Sequence, residues 1–304
     1  MELRHIRYFL AVATEQNFTR AAAKLNIAQP PLSQQIRALE EEIGTPLFYR
    51  TPHGAELTDA GQAFLNEVTP LPQQILQAKE AAQKAARGET GKLRLGVTGT
   101  AALHPAIPAV IRQFRRRYPQ VSLTIEEANS LALADSILHD RLDAAILRPS
   151  DPDPVALTIE HFLTEQLVIA LPSAHPLARE TTELSMHALQ QEPFIMTPRT
   201  LAVSLHDAVV AVCHKAGFEP VEGQAAPQIA SILSMVSAEL GVSLVPESMR
   251  QLSVKGVAFR TISDTRSKVE LAVAYPSRHA TQAAQNFAAI VRQQKQAMAA
   301  LNGA

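Results

Sequence analysis

The chain has 304 residues, 46% of them hydrophobic and 19% charged, which is enough for more than one buried core and excludes disorder along its length. A formal net charge of −1 excludes a nucleic-acid protein that binds by bulk positive charge. Cys213, the only cysteine, excludes an intrachain disulfide scaffold and argues against a cysteine-based zinc site.

The apolar run from Tyr8 to Ala13 is too short for a signal peptide or a membrane span. The expectation is a soluble, cytoplasmic protein with no membrane partner. Leu3, Ile6, Leu10 and Ala13 fall on one face of a helix over 2–15. Asn17 and Thr19 offer a cap to a short helix over 19–25, where Ala21, Ala22 and Ala23 permit close helix approach. Asn26-Ile27 makes the turn. The next helix opens on Pro30-Pro31, where first-turn amides lack helical partners anyway, and ends at Gly44. Leu32, Ile36, Leu39 and Ile43 form its buried stripe. Gln29, Ser33, Gln34 and Arg37 lie opposite, short polar and forked donor side chains suited to phosphates and base edges. Glu40-Glu41-Glu42 places negative charge at the far end, so the N-terminal half is the part expected to enter a major groove. Two short strands, 47–50 and 55–57, flank a turn at Thr51-Pro52-His53-Gly54 and read as a wing carrying Arg50. Basic and acidic residues balance over 1–58, so DNA recognition here rests on placed charges.

Ala22-Ala23, Gln29-Pro30-Pro31-Leu32-Ser33, Ile36, Leu39-Glu40, Gly44, Leu47-Phe48, Arg50, Leu57-Thr58 and Ala60-Gly61 closely resemble, in order and spacing, the N-terminal signature of LysR-type transcriptional regulators. The 29–33 segment is similar to the branch that regulates aromatic-compound catabolism. The resemblance implies a winged helix-turn-helix that binds double-stranded promoter DNA. Thr19, Gln29, Pro30, Pro31, Ser33, Gln34, Arg37 and Arg50 are the residues expected at that interface. For Ser33 and Gln34 the competing reading is an ordinary helix surface. The resemblance also implies a dimer of dimers, effector-dependent DNA bending and RNA polymerase as a further partner.

Thr58 caps a helix expected to run to Arg87 and stop at Gly88. Phe64, Leu65, Val68, Leu71, Ile75, Ala78, Ala82 and Ala85 give it an apolar stripe, which pairs with the same helix of a second copy or packs on its own chain. Pro70 and Pro72 interrupt it. An interior proline removes a hydrogen bond and clashes with the preceding turn at a cost of about 3 kcal/mol, which predicts a kink near Thr69 to Leu71.

From Lys92 strands alternate with helices. Strands are expected over 93–97, 122–127, 144–147, 167–171, 194–196, 242–245 and 269–275. Helices are expected over 103–118, 130–139, 204–215, 228–239 and 281–299. The alternation reads as α/β with mainly parallel sheet. The fold class is thus α/β multi-domain: an all-α winged helix-turn-helix (1–58), a linker helix (59–88) and a two-lobed effector domain (89–304). The chain is expected to cross between lobes near 157–163 and to return near 257–267, giving lobe I as 92–160 and 268–304 and lobe II as 161–267. Gly91-Lys92-Leu93-Arg94-Leu95-Gly96, Tyr118-Pro119, Leu142-Asp143-Ala144-Ala145-Ile146, His175-Pro176-Leu177 and Gly241-Val242-Ser243-Leu244-Val245-Pro246 are similar to the effector half of the same regulators, which resembles periplasmic binding proteins.

In open α/β sheets a ligand lies beyond the carboxyl ends of strands. Thr98 and Thr100 follow one strand, Ser130 another, Arg148 a third, and Thr197, Arg199 and Ser204 a fourth. Hydroxyls and amides at helix starts beside a fixed arginine favour a small carboxylate. The resemblance to aromatic-acid-sensing relatives implies Thr100, Ser130, Arg148, Val203 and Leu205 as contacts. The competing readings are helix caps for the hydroxyl residues, a structural ion pair of Arg148 with Asp143 or Asp151, and a solvated loop position for Arg199. No P-loop, Gly-x-Ser-x-Gly elbow or His-Glu-x-x-His motif occurs, and Cys213 among valines reads as a buried thiol. The expectation is a regulator without catalytic residues, metal or cofactor. The alternatives are a stand-alone solute-binding protein of periplasmic type and an α/β enzyme.

Overall fold

The computed structural model describes all residues apart from Pro52, His53, Asp151, 180–182, Arg266 and 303–304. The expected wing turn at Pro52-His53 and the expected ion-pair partner Asp151 therefore lie outside the described residues. The chain divides into two compact units, Met1–Gln83 and Lys84–Ala304.

The first unit packs α1 (Leu3–Glu15), α2 (Phe18–Leu25) and α3 (Gln29–Ile43) with the hairpin β1 (Phe48–Thr51) and β2 (Gly54–Leu57) and with α4 (Asp59–Val68). The buried face of α1 is Ile6, Phe9 and Val12, while Leu3 is 59% exposed and Leu10 and Ala13 are half-buried. That corrects the expected stripe. Phe9 is the largest apolar group on the helix, and it turns inward to meet Phe48 and Phe64 at ring distances of 5.1 and 4.9 Å. On α2 the Asn17 side-chain Oδ1 accepts from the Arg20 amide, so the helix starts at Phe18 and Thr19 is free of capping duty. Ala21 and Ala22 are buried, but Ala23 is exposed.

Thr58 is a joint as well as a cap. Its hydroxyl accepts from the Gly61 amide at 2.9 Å and donates to the Pro46 carbonyl at 2.8 Å, tying α4 to the root of the hairpin. Gly61 permits this approach: a Cβ there would lie 2.1 Å from the Leu47 carbonyl oxygen.

The break expected at the prolines is present. α4 ends at Val68 and α5 (Leu71–Ala86) begins after Thr69-Pro70. Pro70 and Pro72 cannot donate to the Asn66 and Val68 carbonyls, so the ladder lapses there. Thr69 keeps helical angles (φ −54°, ψ −40°), which makes this a kink and not a reversal. The two halves of the apolar stripe behave differently. Val68 is buried and Phe64, Leu65 and Leu71 pack on the core of the first unit, whereas Ile75, Ala78, Ala82 and Ala85 are exposed.

In the second unit the order is β3 (Thr90–Val97), α6 (Gly99–Ala102), α7 (Ala106–Arg117), β4 (Gln120–Glu127), α8 (Ser130–Leu138), β5 (Ala144–Leu147), β6 (Leu157–Pro172), β7 (Pro193–Met196), α9 (Val203–Lys215), β8 (Val221–Ala225), α10 (Ile229–Ser237), β9 (Ser243–Pro246), β10 (Val257–Arg260), β11 (Lys268–Pro276) and α11 (Gln282–Asn302). The helix expected over 103–118 is α7, which starts only at Ala106, and a short additional helix, α6, precedes it across Leu103, His104 and Pro105. β8 and β10 are additional to the expected strands.

The sheet is mixed, which corrects the expectation of mainly parallel pairing. β3 runs parallel to β4 and β5, and β7 and β8 form a separate two-stranded parallel sheet. β11 is antiparallel to β5 and β6, and β6 to β9 and β10. The cause is the way the chain passes between lobes. It does so on two long paired strands, β6 outward and β11 back, and their pairing is antiparallel by construction. Phe162 and Leu271 belong to the first lobe's core with Leu93, Phe114 and Phe287, while Leu167 and Val269 belong to the second. The passage is therefore centred on Glu165, Gln166 and Lys268, later in the chain than 157–163. Beyond it β6 is covered on both faces. Leu167, Ile169 and Leu171 face the α9 side, and Val168 and Ala170 the α10 side, which accounts for the continuous apolar run.

Candidate functional site

In the first unit Leu32, Ile36 and Leu39 are fully buried, and this fixes which face α3 presents outward. Gln29, Pro30, Pro31, Gln34 and Arg37 are exposed on that face, as is Thr19 on α2. Ser33 is half-buried, and its hydroxyl accepts from Gln29 Nε2 at 3.0 Å. Arg50 is exposed on β1, its guanidinium carbon 4.9 Å from the centre of the Phe18 ring, a cation–π contact that orients it. Among the described residues Arg37 and Arg50 form no salt bridge, whereas Lys24 and Arg20 are engaged with Glu15. The hydrogen bond from Lys24 holds the Glu15 carboxyl below the usual range. The acidic run on α3 is not one charged face. Glu40 turns inward and accepts from the Leu47 and Phe48 amides at 2.8 and 3.1 Å, fastening α3 to the hairpin.

In the second unit a cavity of about 410 Å³ opens between the lobes. The first lobe lines it with Thr98, Thr100, Glu127, Ser130 and Arg148. The second contributes Thr197, Leu201, Ser204 and Leu205, with Gln228 and Ile229 at the start of α10. Seven expected site residues thus meet in one space: Thr98, Thr100, Ser130, Arg148, Thr197, Ser204 and Leu205. Two do not. Arg199 pairs with Asp207 on α9 (Nε to Oδ1 2.7 Å, Nη2 to Oδ2 2.8 Å) and is exposed, a local bond that turns it away. Val203 opens α9 half-buried and is not in the lining, because one helical step separates it from Ser204.

Thr98 is only 7% exposed, and its hydroxyl has no hydrogen-bond partner among the described residues. A buried hydroxyl left unpaired costs roughly 1–3 kcal/mol, so it favours any ligand group that completes it. Asn129 caps α8 by accepting from the Ala132 amide at 2.9 Å. The Ser130 and Leu131 amides ahead of it are first-turn donors that the helix itself does not use. The Ser130 hydroxyl accepts from the Arg148 amide at 3.1 Å.

Arg148 is not a free cation. Both it and Glu165 on β6 have side chains 4% exposed, with Nη2 3.2 Å from the carboxylate. Its Nε donates to Thr100 at 3.3 Å and Nη1 to the Glu270 carbonyl at 3.5 Å. Burial pulls the guanidinium below its ordinary value, and Glu165 opposes that pull. The ion-pair reading of Arg148 is therefore correct, with Glu165 as partner. Asp143 instead binds Arg94, at 2.8 Å. Cys213 is fully buried on α9, and burial pushes its thiol up to about 12, which removes a thiolate from consideration. Among the described residues no group of three His, Cys, Asp or Glu is arranged to hold a metal ion, and no helix is long and apolar enough to cross a membrane.

Residues 3–62 match the family model of bacterial regulatory helix-turn-helix proteins of the lysR family, and residues 86–296 match the LysR substrate binding domain. The HTH-type transcriptional regulator BudR of Raoultella terrigena is 39% identical over 275 residues, 90% of this chain and 94% of that protein. The HTH-type transcriptional regulator AlsR of Bacillus subtilis (strain 168) is 38% identical over 275 residues, 90% of each chain. Among solved structures, full-length CbnR complexed with its target DNA has a TM-score of 0.81 at 25% identity, covering 97% of this chain and 100% of CbnR. Full-length BenM has a TM-score of 0.61 at 27% identity, covering 100% of this chain and 98% of BenM.

Proposed function

The chain belongs to the LysR family of DNA-binding transcriptional regulators, and we propose that a small carboxylate-bearing effector in the interlobe cavity modulates its binding to promoter DNA. The observation that carries this reading is the unpaired, buried hydroxyl of Thr98, a residue that lines the same cavity as Ser130, whose first-turn amide the helix does not use. Together they offer up to two donors to one carboxylate. Leu103, Leu201, Leu205 and Ile229 offer an apolar wall to the rest of a small molecule. Because Arg148 is held by Glu165, hydroxyls and amides take the anion first.

In this reading 1–58 is the DNA-binding head, 59–88 the linker and 89–304 the effector domain. Gln29, Gln34 and Arg37 face base edges and phosphates, and Arg50 on the wing faces the backbone. The exposed half of the linker stripe, Ile75, Ala78, Ala82 and Ala85, is the surface on which a second copy pairs, so that two heads read two half-sites. The effector favours one arrangement of the lobes and so biases the spacing of the heads.

Calorimetry with small carboxylates tests the cavity. Thr98→Val, which keeps the shape and removes the donor, is expected to weaken binding by roughly threefold to tenfold, the worth of one net hydrogen bond. Equal affinity for a carboxylate and its neutral amide analogue would overturn the anion reading.

A further inference from the structure

We propose that His104 is a positioning residue of the effector site: it is a second partner for Glu165 that frees Arg148 to meet an effector carboxylate, and effector binding therefore takes up a proton. The proposal rests on the interlobe cavity being the effector site.

His104 lies just behind the cavity wall, between α6 and α7, with a side chain 15% exposed. Its Nε2 is 3.6 Å from Glu165 Oε1, and Arg148 Nη2 is 3.2 Å from Oε2. One carboxylate is therefore flanked by two nitrogen bases on opposite oxygens. Oε1, on the histidine side, is buried and has no hydrogen-bond partner among the described residues. The resting proton position follows from the other ring nitrogen. Nδ1 accepts from the Ala106 amide at 3.1 Å, so it carries no proton, and the ring is neutral with Nε2–H toward Glu165. Burial pulls the imidazole below its ordinary value, Glu165 opposes this, and the Arg148 charge adds to it. One further carboxylate, Glu127 on β4, lines the cavity but is exposed to solvent; the first turn of α7 is Ala106-Ile107-Pro108-Ala109, and α10 has no ionisable side chain. Glu270 on β11 turns its carboxylate to His161 at 2.5 Å and offers Arg148 only its carbonyl.

The charge count selects the direction. At rest Arg148 and Glu165 cancel and His104 is neutral. An effector carboxylate that draws Arg148 toward the cavity leaves Glu165 buried without a cation, which is strongly unfavourable. His104 closes the short remaining gap, takes a proton from solvent at Nδ1, and pairs with Glu165. The Ala106 amide released in this step is a first-turn donor that needs no helical partner. Arginine and imidazolium then balance two carboxylates, and the net charge of these four buried groups is again zero, with Glu127 left in solvent. Uptake of one proton makes affinity rise by up to about tenfold per unit fall in pH.

Calorimetry of the full chain with propionate and with benzoate, from about pH 8 to about pH 6 in buffers of different ionisation enthalpy, tests this. The wild type is expected to take up close to one proton and to bind more tightly as pH falls. His104→Gln keeps a donor toward Glu165 but does not titrate, and is expected to bind with no uptake and a flat pH profile. No uptake in the wild type, or the same slope in both proteins, overturns the proposal. If neither acid binds either protein at any pH, the carboxylate reading of the cavity itself fails and this inference falls with it. A second readout needs no ligand. In Arg148→Met the His104 ring, followed by histidine-selective NMR, is expected to titrate at higher pH than in the wild type, and an unchanged titration counts against the proposal.

Discussion

Replacing Glu165 by glutamine keeps its shape and removes its charge, leaving Arg148 ionised with both partners still 4% exposed. At 3.2 Å and an effective dielectric of about 20, the lost attraction is about 5 kcal/mol. Little of it is returned by solvent screening at that burial. Removing one member of a buried pair costs roughly 3–5 kcal/mol in practice, so a loss in this range is expected for Glu165→Gln. The double variant Arg148→Met/Glu165→Leu removes both charges and is expected to be close to the wild type, because the cost lies in the uncompensated ion and not in the absence of a bond. A chain of two units does not unfold in one step, so the suitable assay is hydrogen exchange of the β5 and β6 amides, which reports opening of the second unit alone. A cost below about 1 kcal/mol for Glu165→Gln, or a double variant no better than the single, would refute the account of Arg148 as a compensated and not a free cation.

Arg37→Ala and Arg50→Ala are each expected to weaken operator binding and to flatten its salt dependence by about one unit of slope, read from gel-shift titrations at several salt concentrations. Unchanged affinity and slope in both would remove α3 and the wing from the interface. The lowered imidazole of His104 predicts an acid-side loss of stability. The unfolded chain protonates this histidine near pH 6.5, before the folded one does, so its contribution is intact above that value and falls as pH drops below it. Denaturation midpoints from about pH 7.5 to about pH 5.5 should fall less steeply in His104→Gln than in the wild type, and parallel curves would count against the assignment.

The DNA-binding head was legible because its signals are local. Pro30-Pro31, Gly44 and the Thr58 cap each act within a few residues of themselves, as first turn, C-cap and N-cap. The face of α1 was misread because Phe9 is set by rings from β1 and α4, distant in sequence. Pro70 and Pro72 predicted the kink from covalent structure alone. In the second unit, alternation placed most strands but could not give their direction, since antiparallel pairing of β6 and β11 joins residues about a hundred positions apart. β8, exposed along its length, carries no apolar signal, and the first half of β6 alternates too weakly to stand out. The cavity residues were legible by their places after strands. The partner of Arg148 was not, because Glu165 falls where the chain passes between lobes and outside the expected strand. Arg199 misled because its carboxylate partner, Asp207, lies about one turn along a helix that begins after it.

The central claim is that a ligand in the cavity changes how the head engages DNA. Nuclease footprinting of the full chain on the DNA upstream of its own gene tests it most directly, without ligand and with a saturating carboxylate that calorimetry has shown to bind. A footprint that changes length or phasing on saturation is the predicted result, and loss of that change in Thr98→Val at the same concentration would tie it to the cavity. An identical footprint with the cavity demonstrably filled would contradict the account.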